Sequence, residues 1–321
     1  MLIDTHAHLN FNAFKEDADD VIRRSLSNSI WMINVGSQYL TSRRAVEIAN
    51  KYKEGVYAAV GLHPIHVGEK IPKKTIDPQE IVEEAEGGFD FSESEYKKLA
   101  ISSKKVVAIG EIGLDYYYKP KTKIRLKEFK ERQKETLEKQ IGLARELGLP
   151  VIFHCRMAHE DLLEFLNDQP RRGGVTPHGG FTLPYKGGAA SHGGLQPYKL
   201  NGVIHCFSGT REQARRYLEM GFYLGFNGII FKLKLDEVIE ETPLGKILIE
   251  TDCPYLTPPI GPLSGPIIPL NGMASQQKGL AMRNEPAYLR FIAEQIAKIK
   301  KMSYEEIADI TTKNARELFR I

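Results

Sequence analysis

Short apolar, β-branched runs alternate along this chain with longer charged segments of helical period, and that alternation restricts the fold more than any other feature. The apolar runs fall at 2–5, 31–35, 56–60, 106–109, 151–153, 203–204, 222–225 and 247–250. Helix-period segments lie between them near 17–27, 42–53, 95–102, 124–147, 160–167, 212–220 and 235–241. Two more helices follow the last run, at 286–299 and 304–319, the second opened by a capping box of Ser303 and Glu306. Strands that are apolar on both faces and alternate with helices form a parallel sheet covered by helices. About eight such units predict a closed (β/α)8 TIM barrel of the α/β class rather than an open sheet. A barrel takes roughly 250 residues, so the 321 residues read as a single domain with insertions at about 66–98, 170–201 and 257–282. The segment 170–201 is rich in Gly and Pro and holds two near-copies beginning at His178 and His192. It joins a helix to the next strand, which places it on the barrel's N-terminal face, away from a rim site.

Composition narrows the partners. A formal net charge of +3 is too small to mark a nucleic-acid binder by itself, because a basic footprint must be local to matter. Three cysteines, an odd count in a long chain, point to a reducing compartment rather than a disulfide framework. The start Met1-Leu2-Ile3-Asp4-Thr5-His6 has neither the basic opening nor the apolar run of a secretory leader, and no stretch approaches the roughly 20 apolar residues that cross a bilayer. The expectation is a cytoplasmic protein with no membrane partner.

Chemistry-bearing residues recur where strands end. His6 and His8 close the first run, and residues two apart on a strand face one side. The fourth ends in Gly110-Glu111-Ile112-Gly113-Leu114-Asp115, the fifth in His154-Cys155, the sixth in His205-Cys206 and the eighth in Glu250-Thr251-Asp252. In a barrel all the strands' C-terminal ends open on one face, so five strands deliver imidazoles and carboxylates to one rim. Four histidines and two carboxylates suit Zn, Mn, Ni or Fe, or Mg if oxygen ligands dominate. Glu111 is the natural bridge between two divalent ions, since a carboxylate has two oxygens and an imidazole offers one lone pair. Two ions about 3.5–4 Å apart can activate water and stabilise a leaving oxygen. Asp252 suits both a ligand and the acceptor of the attacking water's proton.

These segments, with Gly61-Leu62-His63-Pro64, His205-Cys206-Phe207-Ser208-Gly209, Glu250-Thr251-Asp252-Cys253-Pro254-Tyr255-Leu256 and Arg283-Asn284-Glu285-Pro286, follow one another in a recognisable order. The chain resembles the TatD-like metal-dependent deoxyribonucleases of the amidohydrolase-type barrels, over nearly its whole length. That resemblance implies metal ligands at His6, His8, Glu111, His154, His205 and Asp252, with Glu111 and Asp252 catalytic, and site roles for His63 and Asp115 near substrate or behind the ligands. It implies two divalent ions (Mg, Mn or Zn) and hydrolysis of DNA phosphodiester bonds, as an exonuclease. Deacylation of misacylated tRNA, or other ester and amide hydrolysis, is the alternative use of the same site. A recessed rim admits single strands or frayed ends of DNA more readily than a duplex.

Other residues carry two readings. Arg156 is a phosphate clamp, because its fork matches phosphate oxygens, or a surface arginine. The run Tyr116 to Lys123 interleaves aromatics with lysines, as a single-strand footprint or as a packed loop with solvated charges. His66 and His159, just past strand ends, are within reach of the site but read first as surface residues. Cys155, Cys206 and Cys253 each follow a proposed ligand, and strand alternation turns all three toward the helix layer as buried apolar-like residues.

Overall fold

A computed structural model describes residues 1–68, 78–80, 90–168, 200–259 and 283–321. Eight strands, β1 (Leu2–Ala7), β2 (Ile30–Val35), β3 (Val56–Val60), β4 (Val106–Asp115), β5 (Val151–Arg156), β6 (Gly202–Ile204), β7 (Tyr223–Phe226) and β8 (Ile247–Ile249), pair in parallel in their chain order. The ring closes between its ends: Thr5 Oγ1 donates to the Ile249 carbonyl at 3.1 Å, and beyond β8 the backbone of Asp252 donates to His6 O at 2.8 Å. His8 N then donates to Cys253 O at 3.0 Å, so the seam is tightest at the rim. The structure is the TIM barrel that the alternation predicts.

The helices α1 (Ala18–Ser27), α2 (Tyr39–Asn50), α3 (Glu93–Ile101), α4 (Lys123–Leu147), α5 (His159–Asn167), α6 (Arg211–Met220), α7 (Asp236–Glu241), α8 (Leu289–Lys300) and α9 (Tyr304–Phe319) surround it. Their caps are legible in the sequence. Thr210 and Ser303 accept from the backbone of Gln213 and Glu306, and Gly148 and Gly221 end α4 and α6 in the left-handed conformation. Two apolar clusters result. One, including Ile3, Ile33, Ala59, Ala108, Ile152, Val203, Tyr223 and Leu248, draws on all eight strands and the end of α9; a larger one lies between strands and helices.

Strand bounds differ from the expectation where the site begins. β1, β4 and β5 run on to Ala7, Asp115 and Arg156, so His6, Glu111, Asp115 and His154 lie within strands, while β6 ends at Ile204 as expected and β8 stops one residue early. The apolar pattern stops at the first polar residue, but backbone pairing continues: Gly113 pairs with His154 and Asp115 with Arg156. Residues 170–199 of the insertion at 170–201, with His178 and His192, lie outside the described residues, as do most of 66–98 and 257–282. Asn201, just before β6, accepts from the first residue of β5, Val151 N, at 2.9 Å, so the chain re-enters on the N-terminal face.

Gly113 has φ +152°, and a Cβ there would lie 1.9 Å from the His154 carbonyl oxygen. Gly113→Ala should therefore break the β4–β5 ladder beside two site residues and cost about 3 kcal/mol or more, as buried overpacking at a strained position does. Thermal denaturation checks this; an unchanged Tm would refute it.

Candidate active site

The rim gathers six groups around one carboxylate. Glu111 is buried on β4, with Oε2 3.3 Å from His6 Nε2 and 3.9 Å from His8 Nε2. Its Oε1 lies 2.6 Å from His154 Nδ1, 3.3 Å from His205 Nε2 and 3.5 Å from His63 Nε2. Asp252 Oδ1 completes the first side, 3.4 Å from His8 Nε2 and 3.8 Å from His6 Nε2. All six expected ligand residues therefore meet, and His63 and Asp115 stand beside them. Arg156 reaches the same cavity over Asp115.

Fixed donors and acceptors set which ring nitrogens face inward. His8 Nδ1 lies 2.8 Å from the Val35 carbonyl, which can only accept, so Nδ1 carries the proton and Nε2 offers its lone pair. His205 Nδ1 meets Glu250 Oε1 at 2.9 Å, and that oxygen also accepts from Cys206 N at 2.7 Å and Asn227 Nδ2 at 3.2 Å. His205 Nε2 is thereby left facing Glu111. His154 Nε2 meets Asp115 Oδ2 at 3.0 Å, which directs Nδ1 toward Glu111. His63 differs. Its Nδ1 accepts from Ile65 N at 3.0 Å, so the neutral ring is protonated at Nε2 and points a donor at the centre. A nitrogen that carries a proton has no lone pair to give a cation.

Lone pairs of His8 and His205 thus converge with carboxylate oxygens beside Nε2 of His6. The donor atoms of His6, His8 and Asp252 lie within 4.8 Å of one another, as do those of His6, Glu111 and His205. The two imidazole nitrogens of His6 and His8 stand 3.1 Å apart. A cation relieves that crowding, and nitrogen with carboxylate oxygen is the donor set of borderline divalent metals. The residues fit a metal centre.

Electrostatics agree. Burial alone would raise the Glu111 carboxyl, but His63, His205, His6 and His154 around it hold it well below the usual carboxylate range. Burial alone would lower His154, yet Glu111 and Asp115 push its imidazole up to about 9. Burial and the neighbouring His205 lower His6. The backbone is also unusual here: Met157, Cys206, Asp252 and Leu256, all just past strand ends, have positive φ without being glycine.

Some expectations need correcting. Cys206 does not turn toward the helices. β6 ends at Ile204, so strand alternation no longer applies; Cys206 has φ +46° and borders the cavity, its Sγ 3.5 Å from Asn227 Oδ1. Cys155 and Cys253 are buried as expected. His66 and His159 are buried, not surface residues, because polar partners wait under the loops: Glu80 for His66 and the Tyr217 hydroxyl for His159. Tyr116 is packed, its hydroxyl donating to Asp161 at 2.7 Å, whereas Tyr117 and Tyr118 are exposed, with the Arg156 guanidinium 4.0 Å from the Tyr117 ring centre. Sequence reasoning assigned no role to Asp4 or Glu250. Asp4 accepts from Thr251 N at 2.9 Å and Thr251 Oγ1 at 2.5 Å, tying β1 to the end of β8, and burial pushes its carboxyl up to about 7. An acid at the end of an apolar run was the only signal for either.

The family model "TatD related DNase" matches residues 3–320. The chain belongs to the TatD family. Over the whole length of both chains it is 37% identical to the uncharacterized metal-dependent hydrolase YabD of Bacillus subtilis. It is 27% identical to the 3′-5′ ssDNA/RNA exonuclease TatD of Edwardsiella piscicida, again across both whole chains. The crystal structure of YJJV, a TatD homolog from Escherichia coli K12, superposes with a TM-score of 0.68 at 25% identity, covering 100% of this chain and 98% of that one. The TatD-family chain is thus a metal-dependent hydrolase, and its rim cluster is where such a metal fits. Among the described residues no helix is long and apolar enough to cross a membrane.

Two outcomes follow for this TatD-family centre. Glu250 steers His205 from behind, so Glu250→Ala should weaken metal affinity about 10–100-fold, as loss of such orienting carboxylates does. A chelator competition showing undiminished affinity would refute the steering. Without a cation, His154 gains a proton partner on folding, so its stabilising contribution is complete below about pH 6.5 and is lost as pH rises to about 9. A cation must displace that proton. The rise in Tm on metal addition should therefore grow from pH 6.5 to 9; a constant rise would show that His154 is not engaged.

Proposed function

We propose that this TatD-family hydrolase cleaves phosphodiester bonds of DNA, working from the ends of single or frayed strands with two divalent ions. One observation carries the reading. Glu111 Oε2 lies nearest His6 and His8, which gather with Asp252, while Oε1 lies nearest His154 and His205. Two such groups sharing one carboxylate are the protein half of a binuclear site. Divalent ions held there supply a hydroxide-like nucleophile near neutral pH and neutralise charge on the phosphodiester.

The chain's own residues do the rest. Asp252, its side chain bordering the cavity, is placed to take the proton of the attacking water. His63 presents Nε2–H, a donor for a non-bridging phosphate oxygen. Asp115, fixed by Tyr117 N at 2.8 Å, orients His154 and holds the Arg156 guanidinium 3.1 Å away. Among the described residues Arg156 Nη2 has no hydrogen-bond partner and is free to meet a neighbouring phosphate, and the exposed Tyr118 ring, with the Arg156 guanidinium 5.5 Å from its centre, can stack with a base. The cavity, about 460 Å3, is within the range of small-ligand pockets, about 300–1,000 Å3. It suits the last nucleotides of a strand and not a base-paired duplex. The exonuclease name of the Edwardsiella relative supports the same direction.

End-labelled single- and double-stranded DNA, incubated with Mg, Mn or Zn, tests this. Hydrolysis should require added metal, stop with chelator, and fall about 100-fold or more in Asp252→Ala. Activity that survives both controls would place cleavage elsewhere. No cleavage with any metal, but turnover of aminoacyl-tRNA, would replace the nuclease by an ester hydrolase.

A further inference from the structure

One wall of the cavity is built unlike the rest. Ser37, just past β2, and Glu80, from the loop between β3 and α3, both border the cavity, and both are buried. The Ser37 hydroxyl donates to Glu80 Oε1, and His66 Nε2 meets the same oxygen at 2.5 Å. Ser37 is itself fixed, its backbone N–H donating to Thr41 Oγ1 at 2.9 Å and its carbonyl accepting from His63 N at 2.8 Å. The loop is pinned from the other side by Ala13 N donating to Gln79 O at 2.9 Å. Serine, histidine and an acid in contact invite a nucleophilic reading, but the geometry rejects it. The Ser37 hydroxyl meets the carboxylate, not the imidazole, so the serine–imidazole contact that activates such a nucleophile is missing.

What the wall offers is a held negative charge. Against the effect of burial, the facing His66 keeps the Glu80 carboxyl below its ordinary range. An ionised carboxylate only accepts hydrogen bonds and repels a second anion. A phosphate therefore belongs toward Arg156 and the metal ligands and is unwelcome at Glu80. Donors on a nucleic acid are base amino and ring N–H groups and sugar hydroxyls, and within a DNA strand a free hydroxyl exists only at an end. We propose that Glu80, braced by Ser37 and His66, receives the terminal sugar hydroxyl of the strand, so that the cavity selects hydroxyl ends over phosphorylated ones. This rests on the nuclease reading above and adds to it the chemistry of the end that is accepted.

The test uses the metal-loaded full chain and four labelled oligonucleotides that carry a hydroxyl or a phosphate at the 3′ or the 5′ end. At one end, the hydroxyl form should exceed its phosphate counterpart in kcat/KM by about 10-fold or more, the ratio that a charge-assisted hydrogen bond carries. Glu80→Gln should narrow that ratio to within about 3-fold, mainly by raising KM for the hydroxyl form and by admitting the phosphate form. Metal content should not change. Equal turnover of all four ends by the unmodified protein, a measurement that needs no folded variant, would overturn the subsite while leaving the nuclease standing. A ratio unchanged in a folded Glu80→Gln variant would overturn it as well. No cleavage of any oligonucleotide would instead overturn the nuclease reading, and the subsite with it.

Discussion

Glu111 stands at the centre of the barrel's open face, with its two oxygens turned to two sets of imidazoles, and most of what surrounds it follows from keeping that carboxylate charged while buried. A buried anion without partners is expensive, and protein interiors respond by neutralising it or surrounding it with complementary groups. Here His6, His63, His154 and His205 hold its acidity high. His8, His154 and His205 take their orientation from Val35, Asp115 and Glu250 behind them. The same cluster that is costly to bury unpaired is the one a cation completes. Stability and metal chemistry are therefore coupled at this rim.

The barrel makes that convergence possible at moderate cost. Parallel strands deliver every C-terminal end to one face, and the β1–β8 seam is bonded most firmly there, through Asp252, His6, His8 and Cys253. Positive φ at Cys206 and Asp252 turns the chain sharply as the strands end. Such strain survives only where the surroundings overdetermine it. Asp4, bonded twice to Thr251, supplies part of that restraint one residue from Asp252.

The cavity is polar in two different senses. Arg156 and Tyr118 offer the cavity a cation and a ring face suited to anions and bases, while Glu80 with Ser37 presents an acceptor. A chain end carries both kinds of group within one nucleotide, a phosphate and a hydroxyl, and the arrangement of the walls matches that pairing. The exposed Tyr117 and Tyr118 give the rim its apolar area without extending the core.

Much of this is legible in the order of residues alone. The strand–helix rhythm gives the barrel, and strand ends bearing His6, His8, Glu111, His154, His205 and Asp252 give the cluster, because side-chain period and parallel direction leave no other place for them. Tertiary structure decided what depends on partners distant in the chain. Which nitrogen of His8 carries the proton is set by the Val35 carbonyl, 27 residues on in the chain; which way Cys206 points is set by where β6 stops pairing. His66 reads as a surface residue until the fold brings Glu80 and Ser37 against it, and Glu250 reads as one more acid until His205 arrives 2.9 Å away. Periodicity encodes which face a residue occupies. It cannot encode a hydrogen bond between residues 45 apart, since that bond exists only after two separate segments have packed.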